Sequence, residues 1–112
     1  NKSMLEIKKI QNIKIFESSI SASKNTDCIS TDTWFSMGQK KSQKKNNTLK
    51  PFQVNKKLLS YTKKNAIFMH CLPAHRGEEI SHDILDHPKS VVWDEAENRL
   101  HTQKAVLTWC LK

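Results

Sequence analysis

Ala66-Ile67-Phe68-Met69-His70-Cys71-Leu72-Pro73 decides how this chain is read. Four apolar residues in a row, with a β-branched and an aromatic side chain among them, describe the clearest buried strand of the chain. Pro73 has no N–H to give to a ladder, so the strand must stop at Cys71-Leu72. A second β-favouring run, Cys28-Ile29-Ser30-Thr31, ends in Asp32-Thr33-Trp34-Phe35-Ser36-Met37-Gly38, whose glycine marks residues 32–38 as a loop.

Outward from these two runs, strands and helices alternate. Met4, Leu5, Ile7 and Ile10 predict a helix over about residues 2–11, and Ile13–Phe16 a short strand. A small-residue helix follows over Glu17–Lys24. Residues 39–50 carry Lys, Gln, Ser and Asn with almost no apolar face, as in a solvated helix. Leu58, Leu59 and Tyr61 form a short helix begun by Asn55 as its cap. Glu78–Leu85 reads as a helix, Ser90–Trp93 as a fourth strand and Arg99–Leu111 as a final amphipathic helix. Such an order predicts an α/β domain: a doubly wound, Rossmann-like parallel sheet of about four strands with flanking helices. On this reading Asp32, Cys71 and Asp94 each sit just past the carboxyl end of a strand, where open α/β sheets bind their ligands, and Arg99 begins the helix leaving the last of those loops.

Composition bounds the rest. The chain has 112 residues, 37% of them hydrophobic, which allows one domain and no second core. Nineteen Lys and Arg against eleven Asp and Glu give a net charge of +8, yet the only arginines are Arg76 and Arg99. Arginine is the better reader of phosphates and bases, and no aromatic residue interleaves the lysines of 40–45, so a nucleic-acid surface is not indicated. No apolar run reaches the roughly 18 residues of a membrane helix. Cys28, Cys71 and Cys110 are odd in number and widely spaced, which fits a reducing, cytoplasmic setting better than a disulfide scaffold. No GxGxxG or GxxxxGK is present.

Individual side chains carry two readings each. Cys71, with His70, His75 and Arg76 nearby, can be a thiol whose pKa cationic neighbours lower toward thiolate, or a buried structural cysteine. The histidines and Cys71 match none of the usual zinc spacings, so no metal is expected. Asp94, Glu95 and Glu97 can do acid–base work or cap and orient the last helix. Arg99 can hold an oxyanion through its planar fork, or pair internally with Glu95 or Glu97.

Three motifs taken together add a resemblance. Asp32–Gly38 resembles the DxWxSMG loop of ornithine carbamoyltransferases, His70-Cys71-Leu72-Pro73 their HCLP segment, and Glu95-Ala96-Glu97-Asn98-Arg99-Leu100-His101 their EAENRxH segment. Order and spacing match as well, over roughly residues 4–111. The resemblance implies transfer of the carbamoyl group of carbamoyl phosphate to the side-chain amine of L-ornithine, giving L-citrulline and phosphate. It implies that Asp32, Ser36 and Met37 hold ornithine, and that Cys71 and Leu72 meet the carbamoyl group through backbone carbonyls. Cys71 lies against the reacting amine, Arg99 donates to carbamoyl phosphate, and Cys71 and Arg99 are the catalytic pair. A cis Leu72–Pro73 bond is implied too, with no metal and no organic cofactor.

An HPLP segment would be expected of aspartate carbamoyltransferases, and no SMG loop of the acetylornithine-type relatives, so ornithine is the sharper reading. The chain corresponds to the C-terminal, ornithine-binding domain over residues 1–112. The carbamoyl-phosphate domain, with its SxRT loop and HPxQ segment, is not among these residues, and the complete family member is a homotrimer. Two departures stand out. The stretch after Gly38, rich in glutamate in the family, is lysine-rich here, and glycine is scarce. The alternative is a non-catalytic module of the same fold that binds an amino acid or a partner subunit.

Overall fold

The computed structural model describes residues 10–36 and 38–112. Its frame is a parallel pair, β1 (Cys28–Thr31) and β2 (Ile67–His70), in register Cys28↔Ile67 through Thr31↔His70. Phe68 adds a single parallel bridge to Ser90 on its other side. Before β1, Ser18 caps the short helix α1 (Ser19–Ser23) by accepting from Ser21 N. Between the strands come α2 (Gln43–Leu49), a 3-10 turn at Lys50–Phe52, and α3 (Lys56–Leu59). Asn55 caps α3 as expected, its side chain accepting from Leu58 N at 2.9 Å and satisfying one of the orphan donors of the first turn. The chain closes with α4 (Val92–Cys110).

The core gathers Val54, Leu58, Leu59, Phe68, Ile80, Ile84, Leu85 and Val92, with Ile29, Leu72 and Ala74 packed against it. Phe68, Ile80, Ile84 and Val92 have no exposed surface. Core and site are therefore contiguous, since Leu72 belongs to both.

Several expectations are corrected. Among the described residues the sheet has two strands and a bridge rather than four strands. Ile13–Phe16 is not a strand: Ile13, Ile15 and Phe16 are more than 40% exposed, and no strand pairs with them among the described residues. Ser90–Trp93 contributes only the Ser90 bridge before the helix begins at Val92. Asp94 and Glu95 occupy the favourable first turn, and a run of good helix formers follows, which outweighs the β-branched Val91-Val92 pair. Asp94 and Arg99 thus stand within α4 and not in a loop or at a helix start.

Glu78–Leu85 is a chain of turns and bridges instead of a helix. Gly77 at φ +90 admits the turn, Gly77 N donates to Ile80 O, and Val54 N donates to Glu79 O. The helix expected over residues 2–11 falls almost wholly outside the described residues. No helix is long and apolar enough to cross a membrane among the described residues.

Candidate functional site

Because Thr31 and His70 are register partners in a parallel pair, the next residue of each strand, Asp32 and Cys71, emerges at the same carboxyl edge. There the Cys71 thiol donates to Asp32 Oδ1 at 3.1 Å, and Asp32 Oδ1 also accepts from Thr33 N at 2.7 Å. Each partner shifts the other. The hydrogen bond from Cys71, then that from Thr33 N, holds the Asp32 carboxyl below the usual carboxylate range. The same bond to Asp32, helped by burial and by the carboxylate charge, pushes the Cys71 thiol above its ordinary value. This overturns the expectation of a cation-lowered thiolate: Arg76 pairs with Asp86 at 2.9 Å and the nearest charge on the sulfur is negative. At neutral pH the pair is a thiol and a carboxylate.

The turn that carries Cys71 is held from beneath. His70 N donates to Glu95 Oε2 at 2.9 Å, which fixes the end of β2 against the first turn of α4. The His70 ring accepts from Leu72 N through Nδ1 at 2.9 Å. An N–H can only donate, so Nδ1 carries no proton and Nε2 does. Nε2 then donates to Glu79 Oε1, 3.2 Å away, and both side chains are wholly buried. Glu79 Oε1 also accepts from His75 N. Leu72 takes φ +50 and the Leu72–Pro73 bond is cis, the isomer that the resemblance implies.

His70, Cys71, Leu72, Trp93, Glu95 and Arg99 line one cleft of about 880 Å³. Arg99 lies two turns into α4, exposed, and no carboxylate among the described residues is within ion-pair distance of it. Glu95 is committed to His70, and Glu97 faces His101 at 3.7 Å, so the internal pairing weighed for Arg99 is not made. A smaller cavity of about 240 Å³ lies beside the cleft, lined by Thr33, Ser36, Lys41, Pro73 and His75 among others. Ser36 O accepts from Gln39 N at 3.0 Å across Gly38, which needs its φ of +83 to close this turn. Met37, also expected to hold ornithine, lies outside the described residues.

The structure therefore brings Asp32, Cys71, Leu72 and Arg99 to one edge and sets Ser36 in the adjoining cavity. Sequence reasoning assigned no role to Glu79 and saw Glu95 as a helix cap or an acid–base group. No local signal marked Glu79, because Ile80 is followed by Ser81, His82 and Asp83 and the segment carries no apolar run that would have set a carboxylate apart.

One His/Glu group has metal-ligand proximity among the described residues: His75, Glu78 and Glu79 each bring one donor atom within 4.8 Å of the others. Glu79 is engaged by His70, and Glu78 by Lys41, so two of the three are already committed. Cys28, Cys71 and Cys110 are free thiols.

Comparison with known proteins gives the family. The family described as "Aspartate/ornithine carbamoyltransferase, Asp/Orn binding domain" matches residues 1–110. Ornithine carbamoyltransferase of Rhodopseudomonas palustris is 61% identical over 90 residues, covering 80% of this chain and 29% of its own length. That of Brucella abortus is 56% identical over 91 residues, covering 81% and 29%. Among solved structures, ornithine carbamoyltransferase from Pyrococcus furiosus superposes with a TM-score of 0.75 at 55% identity, over 80% of this chain and 29% of that one. Ornithine transcarbamoylase from Giardia lamblia gives a TM-score of 0.78 at 43% identity, over 86% and 30%. The chain thus spans under a third of the length of these relatives. With motifs, fold and identity in agreement over most of its residues, the chain belongs to the aspartate/ornithine carbamoyltransferase family, in the region of its Asp/Orn binding domain.

Proposed function

We propose that this chain forms the ornithine side of a carbamoyltransferase site that moves the carbamoyl group of carbamoyl phosphate to the side-chain amine of L-ornithine. The observation that carries the reading is the Asp32–Cys71 pair at the shared carboxyl edge of β1 and β2, next to a cleft walled by Arg99, which pairs with no carboxylate among the described residues. In the reaction the amine nitrogen bonds to the carbamoyl carbon, the bond from that carbon to the phosphate oxygen breaks, and the proton shed by the amine leaves on phosphate. L-Citrulline and phosphate are the products.

Asp32, held ionised by the Cys71 and Thr33 donors, accepts from the amine and orients its lone pair. Cys71 acts as a neutral thiol that positions Asp32, and with Leu72 it offers backbone carbonyls to the carbamoyl NH₂. Arg99 donates to the carbonyl and phosphate oxygens, on which charge gathers as the carbon becomes tetrahedral. Ser36 and Met37 hold the amino-acid end. The buried His70–Glu79 pair and the Glu95 contact keep the Cys71–Leu72 turn in place, so that these groups are arranged before substrate arrives.

The rest of the phosphate grip comes, on this reading, from a carbamoyl-phosphate domain outside these 112 residues, in a homotrimeric protein. The exposed apolar side chains of α4 fit that view: Trp93, Leu100 and Leu107 along one side and Trp109 on another are more than half exposed among the described residues. Substitution in the protein at its full natural length tests the assignment. Arg99→Ala should lower kcat/KM for carbamoyl phosphate by about 10²–10³. Asp32→Asn should act mainly on ornithine. If Arg99→Ala left carbamoyl phosphate kinetics unchanged, its role in the site would be lost.

A further inference from the structure

Residues 39–53 read in the sequence as a solvated stretch, yet they hold the site together from outside. Lys41 Nζ pairs with Glu78 Oε1, although 37 positions separate the two. Lys50 Nζ donates to Gly77 O at 3.2 Å, and Gln53 Nε2 donates to Gly77 O at 3.0 Å and to Glu78 O at 2.6 Å. Val54 and Ile80 then continue the contact as a parallel bridge. On the other side, Lys45 Nζ stands 4.9 Å over the ring of Phe35, in the loop that begins at Asp32.

Two loops are joined by this arrangement. One runs from Asp32 to Lys41 and carries Ser36. The other runs from Cys71 to Glu79 and ends in the carboxylate that holds His70. Lys50 and Gln53 grip the second loop through backbone carbonyls, which any sequence supplies. Lys41 alone reaches it through a charged side chain from the Asp32 loop, and it lines the small cavity with Thr33, Ser36 and His75.

We infer that Lys41 is a positioning residue: its ion pair with Glu78 clamps the Asp32–Ser36 loop onto the Gly77–Glu79 turn, and so sets the width of the cavity that takes the amino-acid end of the substrate. The inference rests on the carbamoyl-transfer reading for its substrate, and on geometry alone for the clamp. Lys41 is more than half exposed and Glu78 about one-fifth, so the pair belongs to the modest class of ion pairs, and its effect should be a matter of a few-fold.

The test uses the protein at its full natural length with Lys41→Met, Glu78→Gln, the double variant, and Lys41→Arg. Each single loss should raise the KM for ornithine about three- to fivefold, the size of a partly exposed ion pair, with kcat changed less than twofold. The double variant should be no worse than either single one, and Lys41→Arg should restore most of the affinity. A second readout needs no turnover: amide hydrogen exchange at residues 38–41 should speed up several-fold in Lys41→Met and in Glu78→Gln alike. Unchanged exchange in both variants would overturn the clamp, as would additive effects on KM. A protein that forms no citrulline while its exchange responds as described would remove the substrate assignment and leave the clamp standing.

Discussion

The turn after β2 and the far half of α4 are built in opposite ways from the same chain. Around His70 the backbone N–H donates to Glu95, one ring nitrogen accepts from Leu72 N and the other donates to Glu79, and Phe68 and Ile80 are fully buried nearby in the chain's core. Beyond Arg99, by contrast, Leu100, Val106, Leu107 and Trp109 face solvent, and Trp109 is 79% exposed. A buried polar network gains from each member that is satisfied, and in the first region most are, with Glu79 Oε2 and His75 Nδ1 left without a hydrogen-bond partner among the described residues. Large apolar side chains left exposed on two sides of one helix suit a helix that is covered by other surfaces. Arg99 sits between the two regions, so half of its environment is finished and half is not. One edge of the chain is held by partners within its own residues, while α4 leaves large apolar side chains exposed among the described residues.

Replacement of core and helix side chains tests this contrast with the largest expected effect. Phe68→Ala, with no exposed surface to begin with, should cost about 3–5 kcal/mol in urea unfolding. Leu107→Ala should stay within about 0.5 kcal/mol in the 112-residue chain. In the protein at its full natural length, the same Leu107→Ala should cost about 2–5 kcal/mol once the face is covered. Equal effects of Leu107→Ala in both settings would break the comparison.

A smaller effect sharpens the site itself. On the alkaline side, the raised Cys71 pKa means that its bond to Asp32 contributes in full up to the ordinary thiol value of 9.0 and is lost as the pH rises through the raised value. The depressed Asp32 pKa has the opposite sense, its contribution being present above 3.8 and lost as the pH falls through the lowered value. Iodoacetamide at pH 7–8 should therefore alkylate Cys71 several-fold more slowly than Cys28 or Cys110, and Asp32→Asn should narrow the gap. Cys71 reacting fastest of the three would mark it as a thiolate after all.

Much of the carboxyl edge of β1 and β2 was legible in the sequence. The Ala66–His70 run, the stop at Cys71-Leu72-Pro73, the 28–31 strand, the 32–38 loop and the Asn55 cap are local signals, and each was read from residues adjacent in the chain. What escaped was set by distance. Val91-Val92 has strand composition, but the helix formers after it and the burial of Val92 in the core decide for α4. Glu78–Leu85 has helical spacing, but the bridge of Ile80 to Val54 claims its backbone instead. Glu79 and Lys41 find partners 9 and 37 positions away, and no periodicity announces such pairs.

Citrulline formation on mixing is the most direct test of the central claim. The 112-residue chain, a separately expressed carbamoyl-phosphate domain of the family, and the two together are each given ornithine and carbamoyl phosphate. Citrulline from the mixture and from neither part alone is the predicted result. Turnover by the chain alone would contradict the account, and so would a mixture that stays inactive while calorimetry detects no ornithine on the chain.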